Sequence, residues 1–382
     1  TQTLTPYPTQ TVIADPLSNT KVDNGCLPPS ETHTYALAES DPLPTPRAAV
    51  LPIRWREITK IPEEFAGDLA YIRFIRTNSG RDELWISIDT GIQFFDEDDA
   101  YFIYHTDTQE WERALTPPGT HIFPGPNSSI WSVVYTGKES APNLYQLDEK
   151  AHQYVSITDE DGLLQTGNIY SPVIFDSAGV LWFRFEKYDF VGDSKFSLYS
   201  FNPSTRQAER HSIGVGFDSF AIDKEDNIYL LQNRSQLVKY SPKTGVFHSV
   251  DMPVYVENGT SLFIDSKERL WVSDIARFDE AVSNPEIGSP TLLPRSPIFI
   301  RLFAPYGRFV WFRPQINVES LDGRLWYDGQ AWFDPDKEEW CLFTTHETKL
   351  GFSYYNSQIV KDSKQNLWMV ADGRLFKYEI NP

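Results

Sequence analysis

Four consecutive carboxylates stand at Asp96, Glu97, Asp98 and Asp99. Clustered carboxylate oxygens suit a hard cation such as calcium, although a solvated acidic loop is the commoner use of such a run. Asp159-Glu160-Asp161-Gly162 reads as half a calcium loop, but Tyr170 stands where the bidentate glutamate should follow. The seven histidines are His33, His105, His121, His152, His211, His248 and His346, and none sits in a metal-binding or nucleophile motif. His121 and His346 fall near the ends of repeat units, the places from which a side chain can face a central axis. Cys26 and Cys341 are the only cysteines and belong to no metal-like cluster, so zinc is not expected. No nucleophile elbow, zincin helix motif, P-loop or dinucleotide fingerprint is present. No catalytic residue is assigned, and no cofactor is expected, calcium being the one candidate.

Composition narrows the partners. The 382 residues carry a formal charge of −19, which leaves nothing to balance nucleic-acid phosphates or an anionic membrane surface. No apolar run approaches the roughly 18 residues of a spanning helix. Aromatics make up 14% of the chain, and a repeat accounts for most of them.

That repeat is an apolar–aromatic pair ending at Trp85, Trp131, Trp182, Tyr229, Trp271, Trp326 and Trp368, with successive spacings of 46, 51, 47, 42, 55 and 42 residues. Asp176, Asp223, Asp265 and Asp362 each precede the aromatic by six residues, with a polar turn between. Asp and Ser side chains bond local backbone in such turns, and Gly or Asn accepts positive φ, so each is a hairpin. A third and a fourth alternating run follow, as in Leu237-Val-Lys-Tyr240 and Val246 to Val250. Four short antiparallel strands in about 47 residues make a β-propeller blade. The expected fold is all-β: one seven-bladed propeller with the repeat aromatics packed between blades.

The last unit has three strands before Pro382, and Ile53 to Thr59 carries a fourth-strand pattern. That segment is expected to complete the last blade and close the ring, removing a sheet edge. The propeller then spans 52–382, after a Thr/Pro-rich extended leader over 1–51. Cys341 falls on the outer strand of the sixth blade, within reach of the leader, and an extracellular setting would favour a Cys26–Cys341 bridge.

The stretch 158–183 resembles the two-component regulator propeller repeat. Thr158, Asp161, Gly162, Leu163, Ile169, Asp176, Gly179, Leu181 and Trp182 match its pattern, and the copies ending at Trp271 and Trp368 match its second half. The resemblance implies an extracytoplasmic sensing propeller. The chain shows no membrane helix or signalling domain after the repeats, so a free-standing or lipid-anchored propeller is expected rather than a sensor kinase. The Thr/Pro leader is similar to the spacers behind the lipid anchor of bacterial surface lipoproteins, which would put an anchor upstream of Thr1. More distantly the chain is similar to streptogramin B lyases, a resemblance that implies a histidine and a magnesium ion at the propeller face. No histidine–glutamate pairing of that kind is visible in the sequence.

Loops joining second to third strands share a face with the blade connections, and insertions there commonly bind. Three insertions stand out: 91–99 with Asp96, Glu97, Asp98 and Asp99; 186–194 with Lys187, Tyr188 and Asp189; and 276–297 with Arg277, Asp279 and Glu280. All three are expected on one face, forming the site for a protein, peptide or glycan. The expected role is an extracytoplasmic, secreted or surface-anchored binding propeller. A lyase or hydrolase at the axial pocket, or a structural surface-assembly subunit, are the alternatives.

Overall fold

The computed structural model describes residues 26–27, 55–60, 71–78, 81–89, 100–116, 121–134, 144–187 except 161, 163 and 165, 197–211, 216–252, 256, 260–293 except 274 and 285, 300–303, 309–312, 316–327, 331–342, 359–371 and 374–378. They form seven antiparallel blades in a ring. Blade one comprises Tyr71–Asn78, Glu83–Asp89, Ala100–His105 and Glu110–Arg113. Blade two comprises His121–Pro124, Ile130–Val133, Leu144–Asp148 and Gln153–Ile157. Blade three runs through Gly167–Phe175, Leu181–Lys187, Ser197–Asn202 and Gln207–His211. Blade four runs through Phe217–Ile222, Ile228–Gln232, Gln236–Ser241 and Val246–Asp251. Blade five is shorter: Leu262–Ile264, Leu270–Val272, Ala276–Phe278 and Thr291–Leu292. A separate hairpin, Ile300–Phe303 with Phe309–Phe312, precedes blade six.

Blade six comprises Ile316–Glu319, Leu325–Tyr327, Ala331–Asp334 and Glu339–Leu342, and Cys26–Leu27 adds a fifth strand at its outer edge. Blade seven takes Ile359–Lys361, Leu367–Ala371 and Arg374–Tyr378 from the end of the chain. Its fourth strand is Trp55–Lys60, paired with Arg374–Tyr378 as the closure pattern requires. First strands touch around the centre: blade one meets blades two and seven, blade four meets blades three and five, and blade six meets blade seven.

The seven repeat aromatics lie on the second strands and are at most 4% exposed. They fill the wedges between sheets. Trp368 of blade seven meets Tyr104 of blade one edge-on, with ring centroids 5.8 Å apart. Trp326 of blade six meets Tyr378 of blade seven in the same way, at 4.9 Å.

The repeat aspartates act on the local backbone and on these rings. Asp176 Oδ1 accepts from the Ala178 and Val180 N–H groups, and Oδ2 accepts from Trp182 Nε1 at 2.8 Å. Asp362 does the same for Lys364, Asn366 and Trp368. Asp223 serves Glu225, Asn227 and the Tyr229 hydroxyl. Blade two lacks the aspartate, and Ser129 Oγ accepts from Trp131 Nε1 instead. Gly125 is required beneath that ring, because a Cβ there would stand 2.4 Å from Trp131 Nε1.

The turns also tie blade to blade. The Ser177 N–H and hydroxyl donate to Asp226 of the next blade at 2.9 and 2.8 Å. Burial works against the Asp226 charge, but Ser177 and the Lys243 ammonium outweigh it and hold the carboxyl below its ordinary value. The Ser266 N–H and hydroxyl donate to Glu319 in the same way, and the Ser363 hydroxyl donates to Asp82, joining blade seven to blade one. Lys224, where these turns have serine, pairs with Glu268.

His211, on the outer strand of blade three, packs tilted against Trp182 with ring centroids 4.6 Å apart, with Nε2 2.8 Å from Ser200 Oγ and Nδ1 3.3 Å from the Tyr240 hydroxyl. Burial lowers its pKa, opposed by the charge of Glu209. With the folded value depressed, the unfolded chain binds the proton first as pH falls. Stability is therefore full above about 6.5 and declines as pH drops through the folded value, by at most about 1.4 kcal/mol per unit. Urea midpoints at pH 7.5 and 5.0 should fall less in His211→Gln than in the parent. Equal declines in both would remove His211 as the cause.

Candidate functional site

Up-and-down connectivity puts the turns between first and second strands on one face of the ring, with the connections between third and fourth strands. The other face carries the blade connections and the loops between second and third strands. Blades one to five line a central cavity of about 750 Å³. Its walls come from their first strands: His121 to Phe123, Ser171 to Ile174, Ser219 to Ile222 and Thr260 to Ile264, with Arg76 from blade one. Arg184, on the second strand of blade three, also reaches it.

The lining is graded along the axis. His121, Ser219, Thr260 and Ser261 come early in their first strands or just before them, and Ser171 follows Tyr170, whose pairing with Arg184 puts it level with His121 opposite Val133; all lie toward the blade-connection face. Phe123, Ile174, Ile222 and Ile264 stand near the ends of these strands, next to the turns, and form an apolar floor. Ser219 Oγ, buried, accepts from the Leu262 N–H at 3.3 Å and ties blade four to blade five at the mouth. Such a cavity can hold a small molecule with an apolar body at its floor and polar groups at its mouth.

Among the described residues, no group of three or more His, Cys, Asp or Glu is placed to hold a metal. Asp96, Glu97, Asp98 and Asp99 lie outside the described residues, as do His33, His346, Tyr188 and Asp189. Asp159 is buried and its Oδ1 accepts from the Leu164 N–H at 2.9 Å, so it serves its own turn. Of the described histidines, His121 lines the cavity. His105 stands 3.2 Å from Glu112 on the outer half of blade one, His211 and His248 lie on outer strands, and His152 is exposed in a turn.

The third insertion requires a correction. Ala276–Phe278 is the third strand of blade five, and the following segment joins it to the fourth strand. Asp279 and Glu280 therefore lie on the turn face, opposite the loops of blades one and three. Arg277 pairs with Asp279 at 2.6 Å, and its guanidinium covers Trp271 at 5.5 Å from the ring centroid. The segment is packed into the fold: Ala281, Val282 and Ile287 are at most 3% exposed. Lys239 of blade four, itself buried, donates to the Ala281 and Asn284 carbonyls at 2.8 Å and to Val282 at 3.3 Å. Burial pushes its ammonium below the ordinary value, opposed by the charges of Asp223 and Glu225. The 55-residue spacing reflects this segment and the extra hairpin before blade six. Lys187 ends the second strand of blade three, at the start of the second insertion.

His121, singled out in the sequence as able to face the axis, lines the cavity, whereas its other lining residues carry no such mark. Arg76 stands in Tyr-Ile-Arg-Phe-Ile-Arg-Thr-Asn, which also holds Arg73, so the run alone does not single it out. No helix among the described residues is long and apolar enough to cross a membrane.

No family model matches the chain. No curated protein sequence matches it either. The similarity to two-component regulator propellers therefore carries the fold and not membership. Solved structures are similar in shape. One is a catalytically inactive virginiamycin B lyase from Staphylococcus aureus with quinupristin, 10% identical, with a TM-score of 0.51, covering 86% of this chain and 100% of that one. Another is YCF48 bound to D1 peptide, 13% identical, with a TM-score of 0.50, covering 87% of this chain and 97% of that one. At these identities the likeness establishes the propeller fold.

Proposed function

We propose that the chain is an extracytoplasmic binding propeller, with residues 1–51 as its leader and 52–382 as the ring, whose ligand enters the central cavity from the blade-connection face. The observation that carries this reading is the graded cavity: a polar mouth at His121, Ser171, Ser219, Thr260 and Ser261 over an apolar floor. In this reading Asp96, Glu97, Asp98, Asp99, Lys187, Tyr188 and Asp189 of the first two insertions contribute to the same ligand site. Among similar structures, a propeller bound to a peptide supports a binding role for such a ring. The secreted or surface-anchored setting rests on the leader composition and on the placement of the two cysteines.

The test fills the floor. Ile222→Trp and Ile264→Trp each place an indole in the cavity. A thermal-shift screen of short peptides, oligosaccharides and organic acids should give ligands that stabilise the parent. Either variant should lose that stabilisation while its own melting profile stays cooperative. A ligand whose binding survives both variants would move the site away from the cavity. Turnover of a hit into product, followed by mass spectrometry, would replace binding with catalysis.

A further inference from the structure

We propose that the central cavity selects a small organic anion, an apolar body carrying a carboxylate or similar group, and that Arg76 and Arg184 read the charge. The proposal rests on the cavity being the binding site and adds the chemical class of its ligand.

Strand register isolates the first arginine. The first-strand residue opposite the repeat aromatic is Phe123 in blade two, Ile174 in blade three, Ala221 in blade four and Phe263 in blade five. It is Val318 in blade six and Val360 in blade seven. In blade one it is Arg76, opposite Trp85. Six copies of the repeat meet the packing requirement of this position with an apolar side chain. The seventh brings a guanidinium to the same level, half-buried beside the cavity floor.

Arg184 breaks the repeat a second time. It lies two residues beyond Trp182, where the other blades have Ser87, Val133, Leu231, Ser273, Asp328 and Val370. It pairs across to Tyr170, and Nη1 donates to the Phe217 carbonyl at 3.3 Å, which holds the side chain toward blade four. A need shared by all blades would be met alike in all of them. Two guanidinium groups, each held by a backbone carbonyl, line one cavity at positions where the other copies of the repeat carry no cation, which is the arrangement an anionic ligand calls for.

The electrostatics agree. The chain carries a formal charge of −19, yet no Asp or Glu is among the described residues lining the cavity. Guanidinium groups keep their charge when buried and match a carboxylate with two parallel N–H bonds. A site of low polarity strengthens that attraction over its value at the surface.

Two fluorescent probes with the same aromatic body separate charge from shape. 8-Anilinonaphthalene-1-sulfonate carries an anion, and N-phenyl-1-naphthylamine does not. The parent should bind the sulfonate about tenfold more tightly, a difference that charge-assisted bonds readily supply. Arg76→Met and Arg184→Met should each cut sulfonate affinity about tenfold and leave the neutral probe within about twofold. Arg76→Lys, a milder change, should fall between. Ile222→Trp should abolish both signals. If Ile222→Trp abolishes both but the arginine variants bind the sulfonate as the parent does, the anion proposal falls and the cavity reading stands. If neither probe binds, or both survive Ile222→Trp, the cavity reading falls and takes the proposal with it.

Discussion

Asp265→Ala is expected to destabilise the propeller by about 4 kcal/mol, at the extreme of single substitutions. The Asp265 side chain is fully buried. Its Oδ1 accepts from the Lys267 and Arg269 N–H groups at 3.0 and 2.9 Å. Its Oδ2 accepts from Arg269 Nε at 2.6 Å and Trp271 Nε1 at 2.8 Å. Truncation leaves a buried indole N–H and two turn N–H groups without acceptors, and each such orphan costs about 1–3 kcal/mol. The Arg269 guanidinium, which lies over Trp271 at 5.2 Å, loses its counter-charge as well. Asp265→Asn keeps one oxygen for the turn but turns an NH2 group toward two donors, so about half the loss is expected. Urea midpoints read by tryptophan fluorescence measure this, with exposed Asp251→Ala as the reference within about 0.5 kcal/mol. A loss of under about 1 kcal/mol in Asp265→Ala would mean that the turn repairs itself with water and that the carboxylate does not pin the ring.

The same four bonds explain why the architecture was legible in the sequence. A carboxylate six residues ahead of an aromatic can close a hairpin and hold the ring at once, so the spacing cannot drift without losing both. The seven aromatics, the closing strand Trp55–Lys60 and the outer position of His211 follow from that spacing. The cavity was not legible, for a reason visible in blade one. In the other six blades the residue opposite the aromatic lies eight positions before it, but Arg76 lies nine before Trp85. Blade one has a longer turn between Asn78 and Glu83, so aligning by the aromatic puts Thr77 where Arg76 belongs. Only the paired register discloses the break. Blade five misled for a different reason: its second and third strands have three residues each, and Ala276–Phe278 lacks the longer alternation that marks a third strand elsewhere. A run that short, followed by four prolines up to Pro297, reads as a loop until its neighbours are seen to pair with it.

Intact mass after alkylation under denaturing, non-reducing conditions should show no added groups, because Cys26 and Cys341 are expected to be bridged. Their backbones stand directly opposite in an antiparallel pair. Opposed residues in such a ladder have Cα atoms about 4.5 or about 5.5 Å apart. A disulfide accepts about 4.4 to about 6.8 Å, so either kind of pair can close one. The ladder itself is two residues long, Cys26 with Cys341 and Leu27 with Trp340, too short to hold a strand at a sheet edge by hydrogen bonds alone. A covalent link makes this placement durable and ties the leader to blade six. In the chain-entropy model a loop of this length is worth about 6 kcal/mol, and native strain can only subtract from that figure. Reduction, or Cys26→Ser with Cys341→Ser, should therefore lower the denaturation midpoint by a similar amount in both cases, with the double variant insensitive to reductant. Hydrogen exchange should rise at Cys26 and Leu27 once the link is gone, while the Trp55–Lys60 strand stays protected by its pairing in blade seven. Two alkylated thiols in the untreated protein would sink the bridge. They would also remove the strongest residue-level argument for an oxidising, extracytoplasmic setting, since a paired structural cysteine outside such a compartment is rare.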